Sequence, residues 1–307
     1  MYDKKKRIKA DISLIIVAFI WGITFVTVKN AIADMAPYTF IAIRFAIAFI
    51  FMSLFCIGIF KELNKKIFFP GLMLGVFLFG GYAFQTIGLQ YTTASNAGFI
   101  TGLSVVIVPL IYSIINKTLP SKTALLGAFS AAVGVGLLSL KENYTFNPGD
   151  FLMLLCAFCF AFHIVFVGCY ASKVNTTLLS TIQIGTVALI SGIAGLAFES
   201  HLPIRFTTAV WVGLLTTAIP ATALAFFVQN TMQKYTTPMH TAVIFSLEPV
   251  FAGIAGYFLL GEVLGFRGLL GAALVFLGMV LSELSEIQSC TVIRDIKDIV
   301  VEAGKKN

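Results

Sequence analysis

Between residues 12 and 284 the chain is a succession of apolar runs, each about as long as a bilayer's hydrocarbon core is thick. They cover about 12–28, 38–60, 68–89, 97–116, 123–140, 150–170, 178–198, 208–231, 239–260 and 267–284. A helix needs about 17–25 such residues to cross, whereas a membrane-spanning strand would alternate over roughly ten, and no such alternation occurs. With 58% hydrophobic and 11% charged residues the chain cannot be solvated as a globule, since soluble domains carry roughly 25% charged residues. These runs predict an all-α membrane protein with ten transmembrane helices.

The basic residues orient those spans. Lys4, Lys5, Lys6, Arg7 and Lys9 precede the first; Lys61, Lys65, Lys66, Lys117, Lys122, Lys173 and Lys234 fall in even-numbered loops. Arg294, Lys297, Lys305 and Lys306 follow the last, while the opposite side holds Lys29, Lys141, Arg205 and Arg267. The asymmetry predicts that both termini are cytoplasmic. The net charge of +7 is then a topology signal. Nucleic-acid binding is not expected, because no folded module presents a basic face. The first run has no small-residue cleavage site behind it and is read as a span rather than a signal peptide. Cys156-x-x-Cys159 lies inside a span with no second pair nearby, so it reads as small packing residues, and neither metal nor cofactor is expected.

A second signal is internal duplication. Adding 144 to a residue number carries Gln85 to Gln229, Tyr91-Thr92-Thr93 to Tyr235-Thr236-Thr237, Gly127-Ala128 to Gly271-Ala272, and Gly134 to Gly278, all without a gap. The chain therefore divides into a tail at 1–11, a five-span repeat at 12–140, a second at 150–284, and a tail at 285–307. In that last tail Ile293, Ile296 and Val300 recur at helical spacing among charges, predicting an amphipathic helix at the membrane surface. Five is odd, so the second repeat is inserted upside down relative to the first. Inverted repeats meeting near the midplane are a common architecture for alternating access.

Polar residues inside spans mark where a cavity would lie, because each needs a partner or water. Trp21 sits roughly 13 Å into the first span at 1.5 Å per residue, too deep for an interfacial anchor. Arg44, about two turns into the second, fits either snorkelling and helix pairing or contact with a substrate or coupling ion. Gln85 closes the third span. The fourth opens with Asn96, carries Gly98 and Gly102 on one face for close packing, and is interrupted at Pro109. His163 in the sixth span is either a proton carrier or a neutral histidine bonded to a neighbouring helix. Pro220 should kink the eighth span, and Gln229 follows it. Glu248 in Ser246-Leu247-Glu248-Pro249 is the one acidic residue placed deep within a span, roughly 13 Å from its cytoplasmic end. It can exchange protons or be held by one buried partner. Glu262 and Arg267, in an outer loop, read as an ion pair or cap. Cavity candidates are thus Trp21, Gln85, Asn96, His163, Gln229 and Glu248; coupling candidates are Glu248, His163 and Arg44.

These residues carry a family resemblance. Ala18-Phe19-Ile20-Trp21-Gly22, Arg44-Phe45, Tyr91-Thr92-Thr93-Ala94-Ser95-Asn96-Ala97, Glu248-Pro249-Val250 and Gly261-Glu262 followed by Leu270-Gly271-Ala272-Ala273 resemble the EamA-type branch of the drug/metabolite transporter superfamily. The resemblance implies a ten-helix plasma-membrane carrier with a central cavity, exporting amino acids, other small metabolites or drug-like amphiphiles, in some members by proton exchange. Partners implied are a small-molecule substrate and the lipid bilayer, with protons and a second copy of the chain left open. Ser104 aligns with Glu248 and Thr118 with Glu262, which does not support coupling through paired carboxylates. The rival readings are an intramembrane enzyme using His163 or His240, which lacks any hydrolase motif, and a sensor or assembly partner without transport. No nucleotide-binding loop occurs, so ATP coupling is not expected.

Overall fold

In a computed structural model of the protein, residues 4–115, 117, 119, 122–139 and 147–281 are described, and all regular structure among them is helical. In chain order the helices are α1 (Lys4–Ala31), α2 (Pro37–Cys56), α3 (Lys65–Gly88), α4 (Ala94–Thr101), α5 (Ser104–Ile115), α6 (Lys122–Ser139), α7 (Pro148–Tyr170) and α8 (Thr176–Phe198). There follow α9 (Thr208–Ala218), α10 (Ala225–Met232), α11 (Pro238–Phe245), α12 (Glu248–Leu260) and α13 (Phe266–Leu281). Counting α4–α5, α9–α10 and α11–α12 each as one broken helix, eight are long and apolar enough to cross a membrane. The fifth and tenth expected spans appear as shorter apolar helices, Leu125–Leu138 and Phe266–Leu281. The amphipathic helix expected at 285–307 lies outside the described residues.

Sequence explains where the helices begin. Threonine and asparagine hydroxyl or amide oxygens accept from the otherwise unbonded amides of a first turn. The repeated Tyr-Thr-Thr has this role in both halves: Thr93 Oγ1 accepts from Asn96 N at 3.0 Å and Thr237 Oγ1 from His240 N at 3.1 Å. The helices these threonines start both break after about two turns. The first breaks at Gly102–Leu103 and the second at Ser246–Leu247, positions related by the same offset as the sequence repeat. In the second copy Pro249 has no amide to donate across the gap. The first copy breaks at Gly102–Leu103 and not at Pro109, which lies inside α5. Pro109 removes one donor from a helix that otherwise continues, whereas Gly102 is packed against Pro249 itself. A Cβ on Gly102 would stand 2.5 Å from Pro249 Cγ, and one on Gly98 2.5 Å from Ala252 Cβ. The two breaks therefore meet.

The two short apolar helices meet through glycines in a matching way. Gly134 lies on the Gly271 carbonyl and Gly278 on the Gly127 carbonyl, so α6 and α13 run antiparallel. Between them Ser130 Oγ donates to the Leu274 carbonyl at 2.9 Å. Leu274 is the repeat counterpart of Ser130, so this contact sits where the two halves exchange places.

Pro220 acts as expected by disturbing its helix, and the disturbance is a π-turn over Ile219–Leu224. Such a turn bonds each amide one residue too far back. Ala225 N consequently reaches Pro220 O, and the Ala221 carbonyl is left for another donor.

Candidate functional site

Helices from both halves enclose an internal cavity lined by Trp21, Thr24, Phe25, Tyr82, Gln85, Thr101, Ser104, Phe160, His163, Ile164, Phe226, Gln229, Phe245 and Glu248. About 40 Å³ of it admits the centre of a water-sized sphere. That is room for on the order of three waters, and a metabolite would require the walls to part.

Trp21 holds one wall. Its Nε1 donates to the Ala221 carbonyl at 2.8 Å, the acceptor that the π-turn releases. Its ring lies 5.3 Å from Phe226 and 5.0 Å from Phe245, centroid to centroid. The next residue, Gly22, lets α12 approach: a Cβ there would stand 2.5 Å from Phe251 Cβ and 2.8 Å from the Glu248 carbonyl. Trp21-Gly22 thus joins α1 to both broken helices of the second half.

Glu248 is the first residue of α12, immediately after the break, and is partly buried. Oriented amides at a helix start favour a carboxylate in the first turn. Its side chain makes no hydrogen bond or ion pair among the described residues. Gln229 is 1% exposed, its side chain makes no hydrogen bond among the described residues, and its Oε1 is buried without a donor. Gln85 lines the same cavity from α3. His163 Nε2 lies 2.8 Å from Gln183 Oε1, and the ring meets Phe226 edge-on at 5.7 Å.

Two predicted residues lie elsewhere. Asn96 is not in the cavity wall; its position in the first turn of α4 leaves it at that helix's end, where Nδ2 donates to the Leu138 carbonyl of α6 at 3.3 Å. Arg44 does not reach an interface by snorkelling. It is 2% exposed, its Nε donates to Thr222 Oγ1 at 2.8 Å, and its guanidinium stacks on Tyr82 with Cζ 4.6 Å from the ring centre. Tyr82 lines the cavity and Arg44 does not, so the cation is held behind the ring.

Sequence reasoning missed the aromatic walls, yet they obey a spacing. Tyr82–Gln85, Phe160–His163, Phe226–Gln229 and Phe245–Glu248 are each an aromatic followed three residues later by a polar group, as is Trp21–Thr24. Residues three apart share a helix face, so α1, α3, α7 and α10 each present one ring and one polar group together, and Phe245 and Glu248 do so across the break between α11 and α12. Thr101–Ser104 completes the set, and adding 144 carries it onto Phe245–Glu248 and Tyr82–Gln85 onto Phe226–Gln229.

Glu262 caps a helix and pairs an ion at once. Its carboxylate accepts from Ala94 N at 2.8 Å, Ser95 N at 2.9 Å and Ser95 Oγ at 2.7 Å, and lies 3.5 Å from Lys29 Nζ. Burial alone would raise its pKa, but the Ser95 and Ala94 donors and Lys29 outweigh it and hold the carboxyl below the usual carboxylate range. Glu199 caps the start of α2, accepting from Tyr38 N and Thr39 N at 2.9 and 2.8 Å.

A many-helix membrane protein with a cavity walled by two like halves has the architecture of a carrier. This chain belongs to the EamA-like transporter family, whose model matches residues 8–140 and 147–284, and it is a multi-pass membrane transporter. It is 39% identical over 280 residues to an "Uncharacterized transporter" of Archaeoglobus fulgidus, covering 91% of this chain and 87% of that protein. The "Uncharacterized transporter YyaM" of Bacillus subtilis is 26% identical, covering 89% of this chain and 93% of that one. A solved crystal structure with 16% identity superposes with a TM-score of 0.66 over 90% of this chain and 96% of its own, a likeness of fold.

Proposed function

We propose that the protein is a secondary active transporter of the plasma membrane that exports small molecules by alternating access between two inverted five-span repeats, with both termini cytoplasmic. The observation that carries this reading is the cavity itself: a pocket deep among apolar helices, lined by aromatic rings and a few polar groups from both repeats, and walled by two helices broken at equivalent positions. Unwound breaks of this kind are where carriers of inverted-repeat design hold substrate. The antiparallel α6–α13 seam, with Ser130 on its own counterpart Leu274, supports inversion, because a two-fold axis in the membrane plane reverses helix direction. Outward direction follows the family resemblance, and the distribution of lysines supports the cytoplasmic termini. Proton exchange is assigned to Glu248, the carboxyl without a partner, with His163 held by Gln183 beside the same cavity.

Access can be tested without knowing the substrate. A variant with Cys56, Cys156, Cys159, Cys169 and Cys290 replaced by alanine and a single Ser104→Cys is reconstituted in proteoliposomes of known orientation. An impermeant thiol reagent is added to either side. Labelling from both sides, never through an open pore to a co-trapped dye, is the expected result. Labelling from one side only, or from neither, overturns alternating access through this cavity.

A further inference from the structure

The cavity's polar groups specify a charge. Glu248 is the only carboxylate among the described residues that line it, and it has no partner. Gln229, in the same wall, makes no side-chain hydrogen bond among the described residues, and its buried Oε1 lacks a donor. Buried polar groups are ordinarily paired, so two unpaired ones facing a common space are what a ligand would satisfy. Among the described residues no lysine or arginine lines the space to receive an anion. The nearest buried cation, Arg44, is bonded to Thr222 and stacked behind Tyr82. Much of the wall is aromatic, and on one side the Trp21 ring meets both Phe226 and Phe245. Ring faces attract cations and exclude anions.

We infer that the transported substrate is an organic ammonium ion bearing N–H groups, a primary or secondary amine on an apolar body. Its N–H bonds are accepted by Glu248 and the Gln229 amide, and its body lies against Trp21, Phe226 and Phe245. This rests on the cavity being the carrier's substrate site. A free carboxylate, or the carboxylate of a zwitterion, would enter a space with Glu248 and no countercharge. A quaternary ammonium would keep the ring contacts but have no N–H to donate to either acceptor. The chemistry therefore separates amines from amino acids on one side and from quaternary cations on the other.

Trp21 reports on binding directly. The chain's other tryptophan, Trp211, is half exposed on the outer surface, and a Trp211→Phe background leaves the cavity indole as the fluorophore. Purified protein is titrated with four probes of similar shape: 2-phenylethylamine, its N,N,N-trimethyl analogue, phenylalanine and 3-phenylpropionate. The amine is expected to bind at least tenfold more tightly than each of the others, with at least tenfold loss in Glu248→Gln and a smaller loss in Gln229→Leu. The thermal midpoint of each variant shows that it is folded, and either variant alone suffices for the comparison. Equal or tighter binding of phenylalanine, phenylpropionate or the trimethyl probe overturns the assignment. So does unchanged amine affinity in both variants, or no binding of the amine at all. Because the thiol-labelling test uses no substrate, a protein that passes it and prefers phenylalanine would lose the amine assignment and keep the transport reading.

Discussion

The two broken helices are built alike and furnished differently. α4–α5 and α11–α12 each begin at a threonine cap, run about two turns, break at matching positions and resume with a residue facing the cavity. That residue is Ser104 in the first half and Glu248 in the second. The shared backbone shows what duplication preserved, which is a pair of breaks touching through Gly98 and Gly102. The unequal side chains show where the two halves part in chemistry while keeping one architecture. One neutral hydroxyl opposite one carboxyl makes the cavity electrically one-sided, and a symmetric pair of carboxylates would have had to share a proton or repel.

The harshest way to break the comparison is to separate the two helices. Gly98→Leu would drive its side chain into Ala252, where even a Cβ has no room. Overpacking costs about 1–3 kcal/mol and at times more, so a large drop in thermal midpoint is expected in detergent. A midpoint matching the parent protein would show that the helices do not depend on this contact. Next is the chemical asymmetry. Glu248→Gln should abolish proton dependence of transport while the protein stays folded, and transposing the carboxyl in Ser104→Glu/Glu248→Ser should restore part of it. Unchanged pH dependence in the first variant removes Glu248 from the mechanism.

The caps offer a milder and more symmetrical test. Thr93→Ala and Thr237→Ala should each cost about 1 kcal/mol, since each leaves one first-turn amide without its acceptor. Chemical denaturation giving unlike losses would mean that only one of the repeated Tyr-Thr-Thr segments acts through capping. The smallest effect concerns Glu262, which ties α4 to the end of α12. Its folded pKa is depressed, so its contribution is fully present above the ordinary carboxylate pKa and is lost as pH falls through the depressed value. Parent and Glu262→Gln midpoints should differ near neutrality and converge in acid below the depressed value; a constant gap would contradict the titration.

Much of this was legible beforehand for definite reasons. Hydropathy found the helices because lipid penalises every polar residue, so the exceptions stand out. Trp21, Gln85, His163, Gln229 and Glu248 stood out in that way, and the fold sets them around one pocket. Asn96 stood out equally and lies apart from that pocket, because a polar residue in a first turn can serve the helix end. The rings of Tyr82, Phe160, Phe226 and Phe245 gave no contrast among 30 phenylalanines, and only their spacing from a polar residue distinguishes them. The break near Gly102 was placed at Pro109 because a lost donor is visible in sequence, whereas packing against Pro249 across 147 positions is not.

Ser130 bonded to Leu274 has a bearing on how the two halves pair. At that seam each half meets the other through the same residues of the same helix. Each copy of the duplicated unit therefore carries both sides of the contact, so the seam has the form of a surface that pairs with itself end for end.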